Sequence, residues 1–493
     1  MPFVTGPLPQ RLKLVHGFGA VAFGVKDSGF SFFLLPFYNL VLGVDASTVG
    51  AALAAALVID ALVDPLIGHL SDRTYTKWGR RLPWLYLAPW PLALVWTMLW
   101  SPPFTGTPGF WDIVALAVGV RLLLSACEVP SVSLVPEITD DYDDRTTLFR
   151  YRFLSGWLGG LLMMVLTFTV FLPTPQSQLQ PEGYASYGLF GAALIALSVI
   201  GSAAAQHRIV AQLPERRPPP FSITGAFAEI FDAFREKAFV IFALGGLAAY
   251  VLQGMTFSIT QYVNLYVWQF SELAFQLYPA VLFLSVVLMF VIVGPLHRRW
   301  GKPKSAALGA LVGLAFYCSP YVFYLAGAWP TVGTTASTAL LYGFLVCANT
   351  ASVVAIISAT SMVAEIVEAF EERTGQRAEG TFYAGNWLVQ KCATGGGILL
   401  TSLIVQSIDL APGTPQAEVA PETVRQLVWL FMLAATVLAS IAAFWLARFP
   451  ISREQHEARV GARRGRPAPP APATPDPLDQ AVRADPDAHT ITP

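Results

Sequence analysis

The sequence predicts an all-α membrane protein with twelve spanning helices in two related halves, and three observations predict it. Of 493 residues, 54% are apolar and 13% charged, mean hydropathy is +0.54, and apolar runs long enough to cross a bilayer recur about twelve times. Lys and Arg outside those runs collect on one side of the layer. Two short blocks also recur at nearly one offset along the chain.

The runs fall at 14–43, 46–70, 83–103, 111–137, 150–173, 185–206, 238–268, 271–296, 305–327, 334–366, 380–408 and 424–447. With the N-terminus in the cytoplasm, the cytoplasmic side holds Arg11, Lys13, the 71–82 loop, Arg145, the 207–237 segment, Arg298 to Lys304, Arg373, Arg377 and the C-terminal tail. The opposite loops hold essentially no basic residue except Arg425 at a helix edge. This is the asymmetry of the positive-inside rule, and it places both termini in the cytoplasm of a cell-membrane (inner or plasma) protein. The first residues lead straight into a long run with no small-residue cleavage site, so no signal peptide is expected.

The 207–237 segment is the longest cytoplasmic connection, with Pro218 to Pro220 and an amphipathic stretch, AFAEIFDAFREK, suited to a membrane surface. It separates an N-terminal bundle, 1–206, from a C-terminal one, 238–447. The tail, 448–493, is rich in Ala, Pro, Asp and Arg without an apolar face and is expected to be disordered. Glu137-Ile138 and Asp143-Asp144-Arg145-Thr146 recur as Glu365-Ile366 and Glu371-Glu372-Arg373-Thr374, each about 228 residues on. Pro65-Leu66 with Trp78-Gly79 is echoed by Pro295-Leu296 with Trp300-Gly301. Two six-helix halves around a central loop are the layout of the major facilitator fold, whose substrate site lies near the midplane between the halves.

Charges inside the runs carry the functional reading. Asp60 and Asp64 lie one turn apart on the second run, where an ionisable group costs roughly 2.5–3.5 kcal/mol and so faces a partner or an aqueous cavity. Lys26, Asp27, Arg121, Glu128, Arg152 and Lys391 share that setting. Counted at about 1.5 Å per residue, all but Arg152 lie between the midplane and the inner third, close enough to surround one cavity. Arg121, Ser125 and Glu128 share a helix face. Plainer readings exist: the two acids as structural partners of Arg121 or Lys391, Lys26 and Asp27 neutralising each other, and Arg152 snorkelling to the headgroups. Cys127, Cys318, Cys347 and Cys392 show no paired spacing and read as packing. His69 and His297 have no ligand spacing. Trp84, Trp90, Trp96 and Trp100 read as core and interface belt. No nucleophile elbow, metal-ligand histidine set or phosphate-binding glycine loop supports an enzyme.

The block from Asp60 to Trp84, D-x-x-x-D-P-L-x-G followed by T-K-W-G-R-R-x-P-W, resembles the glycoside-pentoside-hexuronide:cation symporters, typified by the melibiose permease, and the related sodium-dependent lysolipid transporters. Lys26-Asp27, Glu128-Val129-Pro130, Ser133-Leu134-Val135-Pro136, Arg145 with Arg152-Phe153, Ala364-Glu365-Ile366-Val367-Glu368 and Lys391 extend the resemblance over most of the chain. It implies a cation site at Asp60, Asp64 and Ser125. It likewise implies solute contacts from Asp27, Glu128 and Arg152, with Lys26 and Lys391 close to both sites. Three positions depart from the family's pattern: Val63 replaces a polar amide, and Val132 and Ile356 replace aromatics that stack on sugar.

The expected function is symport of a sugar or glycoside-like solute with a proton or sodium ion, with no cofactor, no metal beyond a sodium ion and no nucleic-acid partner. The partners are the solute and the bilayer, and a monomer is the ordinary form of this fold. Asp72, Arg73, Arg145, Glu365 and Arg373, at cytoplasmic helix ends, are candidate gate residues. Alternatives stay open at this point: an amphipathic lysolipid or glycoconjugate as cargo, favoured by the aliphatic replacements, or an uncoupled facilitator in which Arg121 is a tethered cation.

Overall fold

In a bilayer every backbone polar group needs an internal partner, so long apolar runs become helices. The computed structural model describes residues 8–139, 141–213, 225, 228, 231–375, 378–408 and 410–451. Among them are eleven helices long and apolar enough to span: α1 Gln10–Val41, α2 Ala46–Asp72, α3 Leu82–Trp100, α4 Phe110–Ile138, α5 Asp143–Phe171, α6 Pro181–Val210, α7 Lys237–Val267, α8 Glu272–Leu325, α9 Thr335–Thr374, α10 Glu379–Ser407 and α11 Pro421–Ala447. The chain is a multi-pass membrane protein. Met1–Pro450 packs as one unit. The expected disorder of the tail beyond residue 451, residues 226, 227, 229 and 230 of the AFAEIFDAFREK stretch, and Arg377 lie outside the described residues; the rest of that stretch includes a 3-10 turn at Ala233–Arg235.

The eleven helices accommodate the twelve predicted runs because α8 has 54 residues, far more than the ~20 a crossing needs. Runs 271–296 and 305–327 lie along it, separated by a break at Gly301, φ 74 and ψ 170. A left-handed φ is open to glycine at no steric cost, and Trp300-Gly301-Lys302-Pro303 is too short a link to read as a loop. The equivalent Gly79, φ 81, sits instead in a connection of several residues between α2 and α3.

Several helices are also irregular at the end away from the basic 73–81 loop. Wider π turns occupy Gly29–Phe33 and Phe37–Val41 in α1, Thr167–Phe171 in α5 and Val263–Val267 in α7. The turns at 37–41 and 263–267 match: Leu42 N–H donates to the Phe37 carbonyl at 3.1 Å and Trp268 N–H to the Val263 carbonyl at 2.9 Å. Here the first six spans bond to the later ones. The Tyr262 hydroxyl donates to Asn39 at 3.0 Å, and Gln261 donates to Gln178. The loop after α10 reaches both matching turns: Gly413 N–H donates to the Leu40 carbonyl at 2.8 Å, and the Gln416 amide donates to the Leu265 carbonyl at 2.6 Å.

The core of the first six spans is aromatic, with Trp96, Trp100, Tyr184 and Tyr187 fully buried, while Trp90 is exposed as an interface residue would be. Of the cysteines, Cys127 and Cys318 are buried, but Cys347 is exposed, so the packing role expected of it is not met. Its helix turns that face outward, where a small apolar thiol is tolerated next to lipid. Close helix pairs are made by glycine: a Cβ on Gly24 would lie 1.7 Å from the Gly156 carbonyl oxygen of α5. Gly24→Val should therefore force α1 from α5 and cost about 1–3 kcal/mol or more, read as a lowered melting temperature in detergent. Gly294→Ala, with open space around its Cβ, should melt like the parent.

Candidate functional site

Asp60 and Asp64 project from one face of α2 toward α4 and α10. Arg121 of α4 donates to Asp60 at 3.2 Å, and Ser125, one turn further along α4, donates to Asp64 at 2.7 Å and to Asp60 at 3.3 Å. From α10, the ammonium of Lys391 meets Asp60 at 2.9 Å and also pairs with Asp64. One ammonium, one guanidinium and one hydroxyl thus serve two carboxylates. The acids are not equivalent: the Asp60 side chain is 6% exposed and that of Asp64 31%. Phe30 of α1 covers Arg121, whose guanidinium lies 4.6 Å from the ring centre.

A second cluster lies beside the first. Arg152 of α5 pairs with Glu128 and donates to Ser131 at 2.6 Å. It is buried, so it does not snorkel to the headgroups. On α1, the buried Lys26 lies 3.6 Å from Asp27 and 4.4 Å from the centre of the Phe23 ring. The Asp27 side chain is 57% exposed although it lies deep within α1. An ionised carboxylate at that depth calls for water or a polar partner, not lipid. Lys26, Arg121, Arg152 and Lys391 match Asp27, Asp60, Asp64 and Glu128 one for one, so the interior charges sum to zero when all are ionised.

The gate candidates at the basic end form pairs of another kind. Asp72 pairs with Arg81, which also meets Glu137 at 2.9 Å and Ser71 at 2.5 Å. Arg80 joins Glu137 at 2.8 Å. In the later spans Lys302 meets Glu365 at 3.0 Å, and Arg373 pairs with Glu236. Arg145 donates to the Thr139 carbonyl at 2.8 Å, and Arg73 is exposed. Each of these contacts joins elements on the same side of the central loop, except that Glu236 is in the loop itself, directly before α7. Arg80, Arg81, Glu137, Lys302 and Glu236 are absent from the sequence-derived set. The recurring Trp-Gly and Glu-Ile blocks held the signal: in both sets of spans, a basic residue directly after Trp-Gly reaches the glutamate of Glu-Ile.

Residues 15–453 match the family model described as MFS/sugar transport protein. An uncharacterized symporter of Synechocystis is 27% identical, over 90% of this chain and 94% of its own length. An isoprimeverose transporter of Lactiplantibacillus pentosus is 30% identical, over 32% of this chain and 33% of its own length. Among solved structures, the nucleoside transporter NupG superposes with a TM-score of 0.63 at 16% identity, covering 90% of this chain and 100% of that one. The last likeness is one of fold.

The Asp60–Arg121 pair is buried on both sides, and removing one member of such a pair costs roughly 3–5 kcal/mol. Arg121→Leu should lower the melting temperature in detergent by several degrees, and Arg121→Leu with Asp60→Leu should recover most of the loss. Equal stability of the single variant and the parent would show that Lys391 alone satisfies Asp60.

Proposed function

The chain belongs to the MFS/sugar transport protein family and is a cation-coupled solute transporter, not an enzyme; from that premise we propose how its residues divide the work. The observation that carries the proposal is the seat of Lys391. Its ammonium lies against both Asp60 and Asp64, where a coupling cation would go, so cation and ammonium compete for one place. Arg121 stays as the fixed counter-charge of Asp60, and Asp64, the more exposed acid, is the exchanging group.

The coupling ion in this proposal is a proton. The oxygen donors at the seat are Asp60, Asp64 and Ser125, with Val63 where an amide ligand would stand, and both acids already face a cation. Protonating Asp64 removes one of the two carboxylates that hold Lys391; Asp60 keeps Arg121 as its counter-charge, so the ammonium can turn to the solute. The solute is a sugar or glycoside, held by Glu128, Arg152, Asp27, Lys26 and the released Lys391. The isoprimeverose cargo named for one relative supports that class.

The halves 1–206 and 238–447 then move as the two bodies of alternating access. Bonds between them at the end away from the basic loops support a state closed at that end. The positive-inside rule supports a cytoplasmic location for the basic side and both termini.

Proteoliposomes test the assignment. A pH gradient should drive accumulation of isoprimeverose, whereas a sodium gradient should not; sodium-driven accumulation would reverse the choice of ion, and indifference to both gradients would end the coupled reading. Asp64→Asn should abolish gradient-driven accumulation while sparing exchange across the membrane, and an Asp64→Asn variant that still accumulates solute excludes Asp64 as the exchanging group.

A further inference from the structure

The sugar-stacking aromatics that the family resemblance leads one to expect are replaced by Val132 and Ile356, but α10 presents another ring. Trp387 is 58% exposed, the one exposed side chain between residues 381 and 400. It lies a single turn before Lys391.

Two neighbours fix the direction in which α10 presents this side chain. Toward α2, Lys391 reaches Asp60 and Asp64, and a Cβ on Gly395 would lie 3.2 Å from Ala54. Toward α7, Asn386 accepts a bond from the Tyr250 hydroxyl at 3.2 Å, and a Cβ on Gly397 would lie 2.2 Å from the Val251 carbonyl oxygen. At about 100° per residue, Trp387 lies about 40° from Lys391 on the α7 side, inside the narrower sector between α2 and α7. From that same sector Lys391 meets the carboxylates. The ring is therefore presented on the side from which Lys391 meets the two carboxylates. Counted from the basic ends of their helices, Trp387, Glu128 and Arg152 lie about 12–15 Å deep, so ring and charged pair share one level.

We propose that the indole of Trp387 is the platform on which the ring of the transported sugar lies. A pyranose offers an edge of hydroxyls and a face of C–H groups. The hydroxyls suit the Glu128 carboxylate and the Arg152 guanidinium, and the C–H face suits an exposed, rotamer-poor aromatic surface. The substrate class is thereby narrowed to pyranosides with an unbroken C–H face. This inference rests on the sugar reading of the preceding subsection.

The test uses the full chain in proteoliposomes, with radiolabelled isoprimeverose, D-xylose and D-glucose as probes. Trp387→Phe keeps a ring and should hold KM within about threefold of the parent, whereas Trp387→Leu and Trp387→Ala should raise it about tenfold. Melting temperatures should not change, since the side chain is exposed. Tryptophan emission should shift to the blue with sugar in the parent and not in Trp387→Phe. A KM for Trp387→Leu within about twofold of the parent, or the same emission shift in Trp387→Phe, overturns the platform while leaving sugar transport intact. If the parent neither binds nor moves any of the three sugars, the sugar reading fails and the platform with it.

Discussion

A single ammonium group, shared by two carboxylates from another part of the chain, is the constraint around which the interior is arranged. Asp60 and Asp64 are two like charges one turn apart on α2, and an apolar medium leaves them in need of partners. Lys391 and Arg121 are those partners, and Ser125 takes up one remaining oxygen of each acid. Since α2 lies before the 207–237 segment and α10 after it, the electrostatics of the acids also tie together helices far apart in the chain. A replacement cation at the seat would change the charge count and the mechanical contact in the same event. Small residues let this happen at close range: Gly50 of α2 lies against Ser402 and Ile398 of α10, so the two backbones approach without intervening bulk.

The basic end is built on a different principle. Arg80 and Arg81 with Glu137, and Lys302 with Glu365, repeat one device in both sets of spans. Each pair joins the segment after a Trp-Gly turn to the end of a span that also carries or adjoins interior polar groups. The contacts are partly buried, so they are screened less than surface pairs and tie their helices firmly. The charges there brace each set of spans internally.

Much of this was legible in the residues. Asp60 and Asp64, four apart in an apolar run, had to face a partner, and Arg121, Ser125 and Lys391 had the depths to meet them. The repeat of Glu137-Ile138 as Glu365-Ile366 pointed to two related sets of spans. Other features could not be read. Whether Trp300-Gly301 forms a loop or a break within a 54-residue helix depends on one left-handed glycine and on how its neighbours pack. The π turns of α1, α5 and α7 have no distinct composition, because an extra residue in a turn is paid for by contacts elsewhere. Arg81 looked like one basic residue of a topological signal, and its role as a hub for Ser71, Asp72 and Glu137 appears once three elements converge. Cys347 was misjudged because apolar surroundings in a membrane mean lipid as often as core.

The bonds made by the loop after α10 have a consequence for leakage. The last turn of a helix leaves carbonyl oxygens without intrahelical partners, and Gly413 and Gln416 take up two of them, one on α1 and one on α7. When the contact parts, water replaces each donor, and such an exchange is close to neutral, net about 0.5–1.5 kcal/mol per bond. The seam is thus held by two bonds that deny leaking water those carbonyls while shut and cost little to unfasten.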